Sequence, residues 1–381
     1  MDAKQLFDER RSLFDDVVHC RKPARVPTSA NIFTWKIIDS DLKPKFSEAL
    51  CDWDLMEKIV REHIERYNFD CYSDYGVRNN GNIIKLVAGS QYVINDEVGS
   101  INTPDICIME ENEYDEFRED LTKFLWTKGM PRKVGDWTFG HILDAYNAIT
   151  PFVEYGARMS KMAVEEYGIP IRQKGVSPRH PIESVYSGYR GIKNFCQDMR
   201  RIPEKLDDLM ESEKPVYIQA VKNVLALPKD RAVNDMSQAW LAHSVMSNKQ
   251  FARFYWPLCE ASFKLLCEGD YSCHIFCEAE FIRLADFVND VPGGHLVLAI
   301  EMDDIFEVRK VIPGTCVAGG MKVDLLGKGT VDQCVDRAKK LIDELGATGY
   351  IMSQDKMMSF SYDAKRENML AVQDYVLNYK L

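Results

Sequence analysis

The stretch Cys-His-Ile-Phe-Cys-Glu-Ala-Glu-Phe at 273–281 brings two thiols, an imidazole and two carboxylates together. Such a set serves as a metal site, as an acid–base pair, or as core cysteines beside a solvated turn. Two later runs add donors: HLVLAIE ends on Glu301, and TCVAGGM carries Cys316. If these runs are consecutive parallel strands of a barrel, Glu278, Glu301 and Cys316 meet around one mouth. Two carboxylates and a thiolate are suitable Zn²⁺ ligands and leave a fourth position for substrate or water. A metal held there acts as a Lewis acid on a substrate oxygen. Asp74, His274 and Glu280 are candidates for a general acid. Phe33, Trp35, Asp235, Trp240 and Met352 are candidates to line the substrate pocket.

Each residue also has a plainer reading. Cys316 before Ala-Gly-Gly suits a small buried side chain under a tight turn. Asp303 and Asp304 suit the first turn of the following helix. His274 in an apolar strand suits a core histidine, Glu280 a surface position, and Cys273 and Cys277 packing. The tryptophans suit the core equally. Glu278 is the hardest to explain away, because a carboxylate at a buried strand end is costly unless paired or ligated.

The elements that must position these groups alternate between strand and helix. RVPTSANIFTW (25–35) reads as a strand, DLMEKIVREHIERY (54–67) as a helix and NFDCYSDYG (68–76) as a strand. Residues 81–108 read as an antiparallel hairpin excursion and 137–167 as helical. GIPIRQKG (168–175), RAVNDM (231–236), 271–278, 295–303, 315–321 and 349–354 read as strands. Helical patterns lie at 248–268, 281–290, 304–311 and 329–346, the last with Gly346 where a cap is expected. Repeated β-then-α units predict parallel strands, and the length suits an α/β fold of one (β/α)8 TIM-type barrel. The expected organisation is an N-terminal helical segment at 1–24 followed by the barrel at 25–381.

The 381 residues are 46% apolar, enough for a large core, with a net charge of −11 and no basic stripe. Nucleic acid is therefore not an expected partner. No apolar run approaches a membrane span, and the N-terminus reads as a charged amphipathic helix rather than an export signal. The expected location is cytoplasmic, with the eleven cysteines as thiols.

Several motifs in sequence order resemble the uroporphyrinogen decarboxylase superfamily. GKGTVDQCVDRAKKLIDELGATGYIMSQ followed by AKRENMLAVQDYV is similar to its C-terminal end, and AGGM to one of its strand ends. NFDCYSDYG is similar to the strand that places an acidic residue, here Asp74, in the cleft. GVSPRHPIESVYSGYRGIKNFCQDMRRIPEKLDDLM is similar to a further segment, so the resemblance spans most of 25–375. The arginine-rich loop of true porphyrinogen decarboxylases is replaced here by NIFTWKI, which disfavours a polycarboxylate substrate. The zinc-ligating His-x-Cys of one methyltransferase branch is not reproduced by His274-Ile-Phe-Cys277. The resemblance is closer to the methyltransferase components of anaerobic O- or N-demethylase systems, through the run from Cys277 to Met321. It implies transfer of a methyl group from a small methylated donor to a corrinoid supplied by a partner protein. A homodimer is a further arrangement open to such a chain. The alternatives are a metal-free lyase on a small carboxylated substrate, with Asp74 as acid, and a catalytically silent binding subunit.

Overall fold

The computed structural model describes residues 2–76, 80–135 and 137–381. The chain opens with helix α1 (Ala3–Val18), started by a reciprocal capping pair between Asp2 and Gln5. Its buried residues, Arg10, Leu13, Phe14, Val17 and Val18, recur at helical spacing and mark one inward face.

The barrel strands are β1 (Thr28–Ala30), β2 (Cys71–Tyr72), β3 (Ile171–Gln173), β4 (Ala232–Asn234 and Met236–Trp240), β5 (Cys273–Cys277), β6 (Leu296–Ile300), β7 (Cys316–Met321) and β8 (Tyr350–Gln354). The nine hydrogen-bonded segments form one sheet, and two of them are halves of β4 separated only by Asp235. The first half of β4 pairs with β3 and the second with β5, all pairs being parallel. That shared strand closes the sheet, which is a (β/α)8-type barrel as the β–α alternation predicts.

Helices α2 (Trp53–Tyr67), α3 (Phe139–Glu165), α4 (Pro203–Leu225), α5 (Trp256–Glu268), α6 (Ala285–Asn289), α7 (Ile305–Val311), α8 (Val331–Leu345) and α9 (Arg366–Asn378) follow successive strands. Gly346 is the C-cap of α8, as expected. The strands divide their side chains by the period-2 rule. Met236, Trp240, Cys273, Ile275 and Cys277 join the apolar shell under the helices. Cys71, Val233, Val297, Ala299, Cys316, Ala318 and Ile351 form a separate interior cluster with Phe14, Val17 and Val18 of α1. Helix α1 therefore stoppers the N-terminal end of the barrel. Near the other end, Gly319 has φ +115°, and a Cβ there would lie 2.8 Å from the Ile300 carbonyl oxygen. A side chain at that position would push β7 off β6.

Several expected boundaries shift: the strand expected at 168–175 narrows to Ile171–Gln173, and the one expected at 231–236 breaks at Asp235 and continues to Trp240. The strand predicted at 25–35 is short, and Trp35 opens a helix, Trp35–Asp39. The strand predicted at 68–76 narrows to Cys71–Tyr72. In the 81–108 excursion, Asn80 caps the amides of Asn82 and Ile83, so 81–91 turns helical. The hairpin is confined to Val93–Asn95 and Ser100–Asn102. Among the described residues no helix is long and apolar enough to cross a membrane.

Candidate active site

The cleft opens at the C-terminal ends of the strands and has two connected chambers. The lower, about 430 Å³, descends into the barrel and is lined by residues including Asp74, Arg172, His274, Phe276 and Ser353. The upper, about 560 Å³, is walled by Phe33, Tyr92, Arg179, His180, Leu241 and Tyr255, among others. Ser177, Ser237, Gln238, Ala239 and Met357 belong to both, so the chambers are continuous. The volumes fall in the range of small-molecule sites.

Strand alternation positions the deepest groups. On β5, His274 and Phe276 face the lumen because Cys273, Ile275 and Cys277 fill the shell. Arg172 sits in the middle of β3 and lines the same chamber. Burial and the neighbouring Arg172 guanidinium hold the His274 imidazole down to about 3. His274 is thus neutral at neutral pH, which argues against its expected part as a general acid. Its Nδ1 has no hydrogen-bond partner among the described residues.

In the wall, the Lys36 ammonium lies 2.7 Å from Asp74 Oδ2 and 2.6 Å from the Phe33 carbonyl oxygen. The Gly76 amide also donates to Asp74 Oδ2, at 3.1 Å. Both members of the pair are nearly solvent-free, so their attraction is screened little.

The upper chamber rests on Glu183. Its Oε1 accepts from the amides of Leu241 and Ala242, at 2.8 and 3.0 Å, and from the Tyr255 hydroxyl at 2.8 Å. Burial pushes the Glu183 carboxyl up. The His180 ring stacks on Tyr255 at 4.0 Å between centroids and bonds its carbonyl oxygen through Nε2. One buried carboxylate therefore fixes the end of β4 and the aromatic wall together.

The expected site residues separate. Asp74, His274 and Phe33 line the cleft. Trp35 does not: it is buried against His63 and Tyr67. Trp240 points outward among Phe251, Tyr255, Phe263 and Phe281. Met352 is buried in the shell, accepting from the Tyr350 hydroxyl, and Met357 takes the lining position instead. Asp235 is fully buried between the Lys174 and Lys229 ammonium groups, each at 2.9 Å, and the Ser272 amide. It ties the break in β4 and does not line either chamber. Glu280 is exposed at the surface, as its plainer reading had it.

The proposed ligand set Glu278, Glu301 and Cys316 does not converge. Cys316 is the first residue of β7 and pairs with Val297, among the α1 residues that stopper the barrel. Glu301 lies four residues beyond Val297, roughly 13 Å along the strand. Glu301 instead accepts from the Ala279 amide at 2.6 Å, holding the turn where Ala279 has φ +57°. Glu278 lies beside Tyr186. Among the described residues no group of three or more His, Cys, Asp or Glu side chains is arranged to hold a metal ion. Sequence spacing placed each donor at a strand end but did not say which end. Asp304 follows its plainer reading and caps α7 through the Phe306 amide, whereas Asp303 does not serve that helix and instead accepts from the amides of Phe281 and Ile282 in the loop after β5.

Arg172, Lys36, Ser177, Gln238 and Glu183 were not singled out from the sequence. A signal existed for two of them: Arg172 and Lys36 are lone basic residues inside the apolar runs GIPIRQ and IFTWKII.

Fold and cleft define a (β/α)8-barrel protein with a stoppered lumen, the architecture in which reactive groups gather at the C-terminal face. Among solved structures, a methyltransferase from Methanosarcina mazei matches it with a TM-score of 0.58 at 13% identity, over 92% of this chain and 93% of that one. At that identity the likeness is one of fold. No family model matches the sequence, and no curated protein matches it.

Proposed function

We propose that this chain is a methyltransferase that takes a methyl group from a small methylated donor and delivers it to a corrinoid carried by a partner protein. We place it in the uroporphyrinogen decarboxylase superfamily on the order of its motifs. The observation that carries the reading is a lumen closed below by Phe14, Val17 and Val18 and continuous above with a cleft of mixed apolar and polar lining. The fold shared with a methyltransferase of nearly the same length supports it.

A donor reaching the lower chamber meets Arg172 and a rim of serine hydroxyls at its depth, with Phe276, Ala299 and Met357 offering apolar contact. The closed floor keeps bulk water from entering behind it. As the methyl group leaves, the heteroatom retains the bonding electron pair, and with an ether donor Arg172 stabilises the negative charge that develops on the oxygen. The Asp74 carboxylate, which accepts from the Lys36 ammonium, relays a proton from that ammonium to the departing heteroatom, leaving Lys36 neutral. When bound at the mouth, the corrinoid supplies the nucleophile. Its macrocycle is too large for the lower chamber, so it must be presented from above. Glu278, Glu301 and Cys316 do not fit a zinc ion, and no step uses one.

The test is incubation with cob(I)alamin and a panel of methoxybenzoates, methylamines and betaines, following methyl–cobalt formation by absorbance. Methylation by one donor class, lost on Arg172→Gln, is expected. Absence of methyl–cobalt with both free cobalamin and corrinoid proteins overturns the proposal. Carbon dioxide release from a small carboxylate would then establish the lyase reading.

A further inference from the structure

Helix α3 runs from Phe139 to Glu165, but its buried residues, Tyr155, Met159, Met162 and Ala163, all lie in the second half. The first four turns touch the body along one side only, where His141, Ala145, Ala148 and Phe152 are half-buried and Phe152 meets Trp53, yet the whole stretch is apolar: FGHILDAYNAITPFV contains a single acidic residue, Asp144, and no Lys or Arg. Phe139, Leu143, Tyr146, Ile149 and Val153 are 72, 50, 66, 44 and 61% exposed. Phe139, Ile142, Tyr146, Ile149 and Val153 follow the alternating three- and four-residue spacing of a coiled-coil seam. That seam lies on the side of the helix opposite to the residues buried in the barrel shell. Pro151 is exposed and points away from the seam, so it does not interrupt it.

We propose that this seam pairs with the same seam of a second copy of the chain, the two α3 helices running antiparallel about a two-fold axis near Tyr146. The periodicity calls for a helix as the occupant, and the residues complement their own reverse. In the antiparallel pair the bulky Phe139 end meets the smaller Val153 end, while the isoleucines and Tyr146 meet at the centre. A two-fold contact needs this self-complementarity. Two chains of net charge −11 repel each other over most of their surface. This nearly uncharged arm is where they can approach. The exposed seam side chains offer roughly 500 Å² per copy, so the pair reaches about the 1,000 Å² at which specific association begins.

The experiment uses the full chain. Sedimentation equilibrium is expected to give twice the 43.8 kDa chain mass, and Tyr146→Glu to weaken association by at least about tenfold. A short bis-maleimide is expected to join two copies of Tyr146→Cys but not of Phe139→Cys. In the antiparallel pair the two 139 positions stand roughly 20 Å apart. The unsubstituted chain, treated identically, controls for its own thiols. A single-chain mass up to the solubility limit overturns the proposal. So does a dimer that survives Tyr146→Glu, or linkage at 139 in preference to 146.

Discussion

The Lys36 ammonium sits 2.7 Å from Asp74 Oδ2, joining the turn after β1 to the loop after β2 inside the wall of the cleft. Breaking such a pair from one side leaves a buried charge without its partner. Lys36→Met is expected to lower stability by about 3–5 kcal/mol, read as a shift in the urea midpoint. The double change Lys36→Met with Asp74→Asn should cost less than the two single changes together. Additive costs would show that the pair is not coupled.

His63, His180, His243 and His274 are all held below the ordinary histidine range by burial, His180 and His274 to about 3 and His243 to about 4. Between those values and about 6.5 the unfolded chain binds more protons than the folded one. Stability should therefore fall as pH drops from 7 to 5. His274→Asn should flatten that slope in denaturant titrations at several pH values. An unchanged slope would mean that His274 is protonated in the folded protein.

Arg172 is the second cause of the His274 shift, after burial. Arg172→Gln should therefore raise the His274 pKa while leaving it below the ordinary range. An imidazole NMR titration measures this. A drop, or no movement, would place the guanidinium too far away to act.

Glu183 Oε1 receives three hydrogen bonds from the upper wall. Glu183→Gln keeps an acceptor there and should change stability little. It should also remove the destabilisation that appears as pH rises through the raised carboxyl pKa. Glu183→Ala orphans three buried donors and should cost about 3 kcal/mol or more. Equal losses in the two variants, measured by thermal melting, would refute the acceptor role.

Cys316 lies in the stoppered end of the barrel against Val297 and α1. Cys316→Ala should cost about 1 kcal/mol of packing and leave the metal content of the purified protein unchanged. Loss of a bound metal in that variant would restore the ligand role that the geometry removes.

The sequence by itself determined the barrel. Its alternation of apolar runs and helical periods, the cap at Gly346 and the amphipathic face of α1 are local signals that the packed structure keeps. It also marked Asp74 and His274 as cleft residues. What it could not decide was depth and facing. Along a strand, one residue of register exchanges lumen for shell, and four residues exchange mouth for floor. Cys316 and Glu301 look equivalent in a string of letters, yet one plugs the barrel and the other holds a turn at its opposite end. Trp240 and Met352 fell on the shell side for the same reason, while Arg172 and Met357 took the lumen. Closure of the sheet through the split strand β4 set those choices, because only three-dimensional pairing decides which side chains meet.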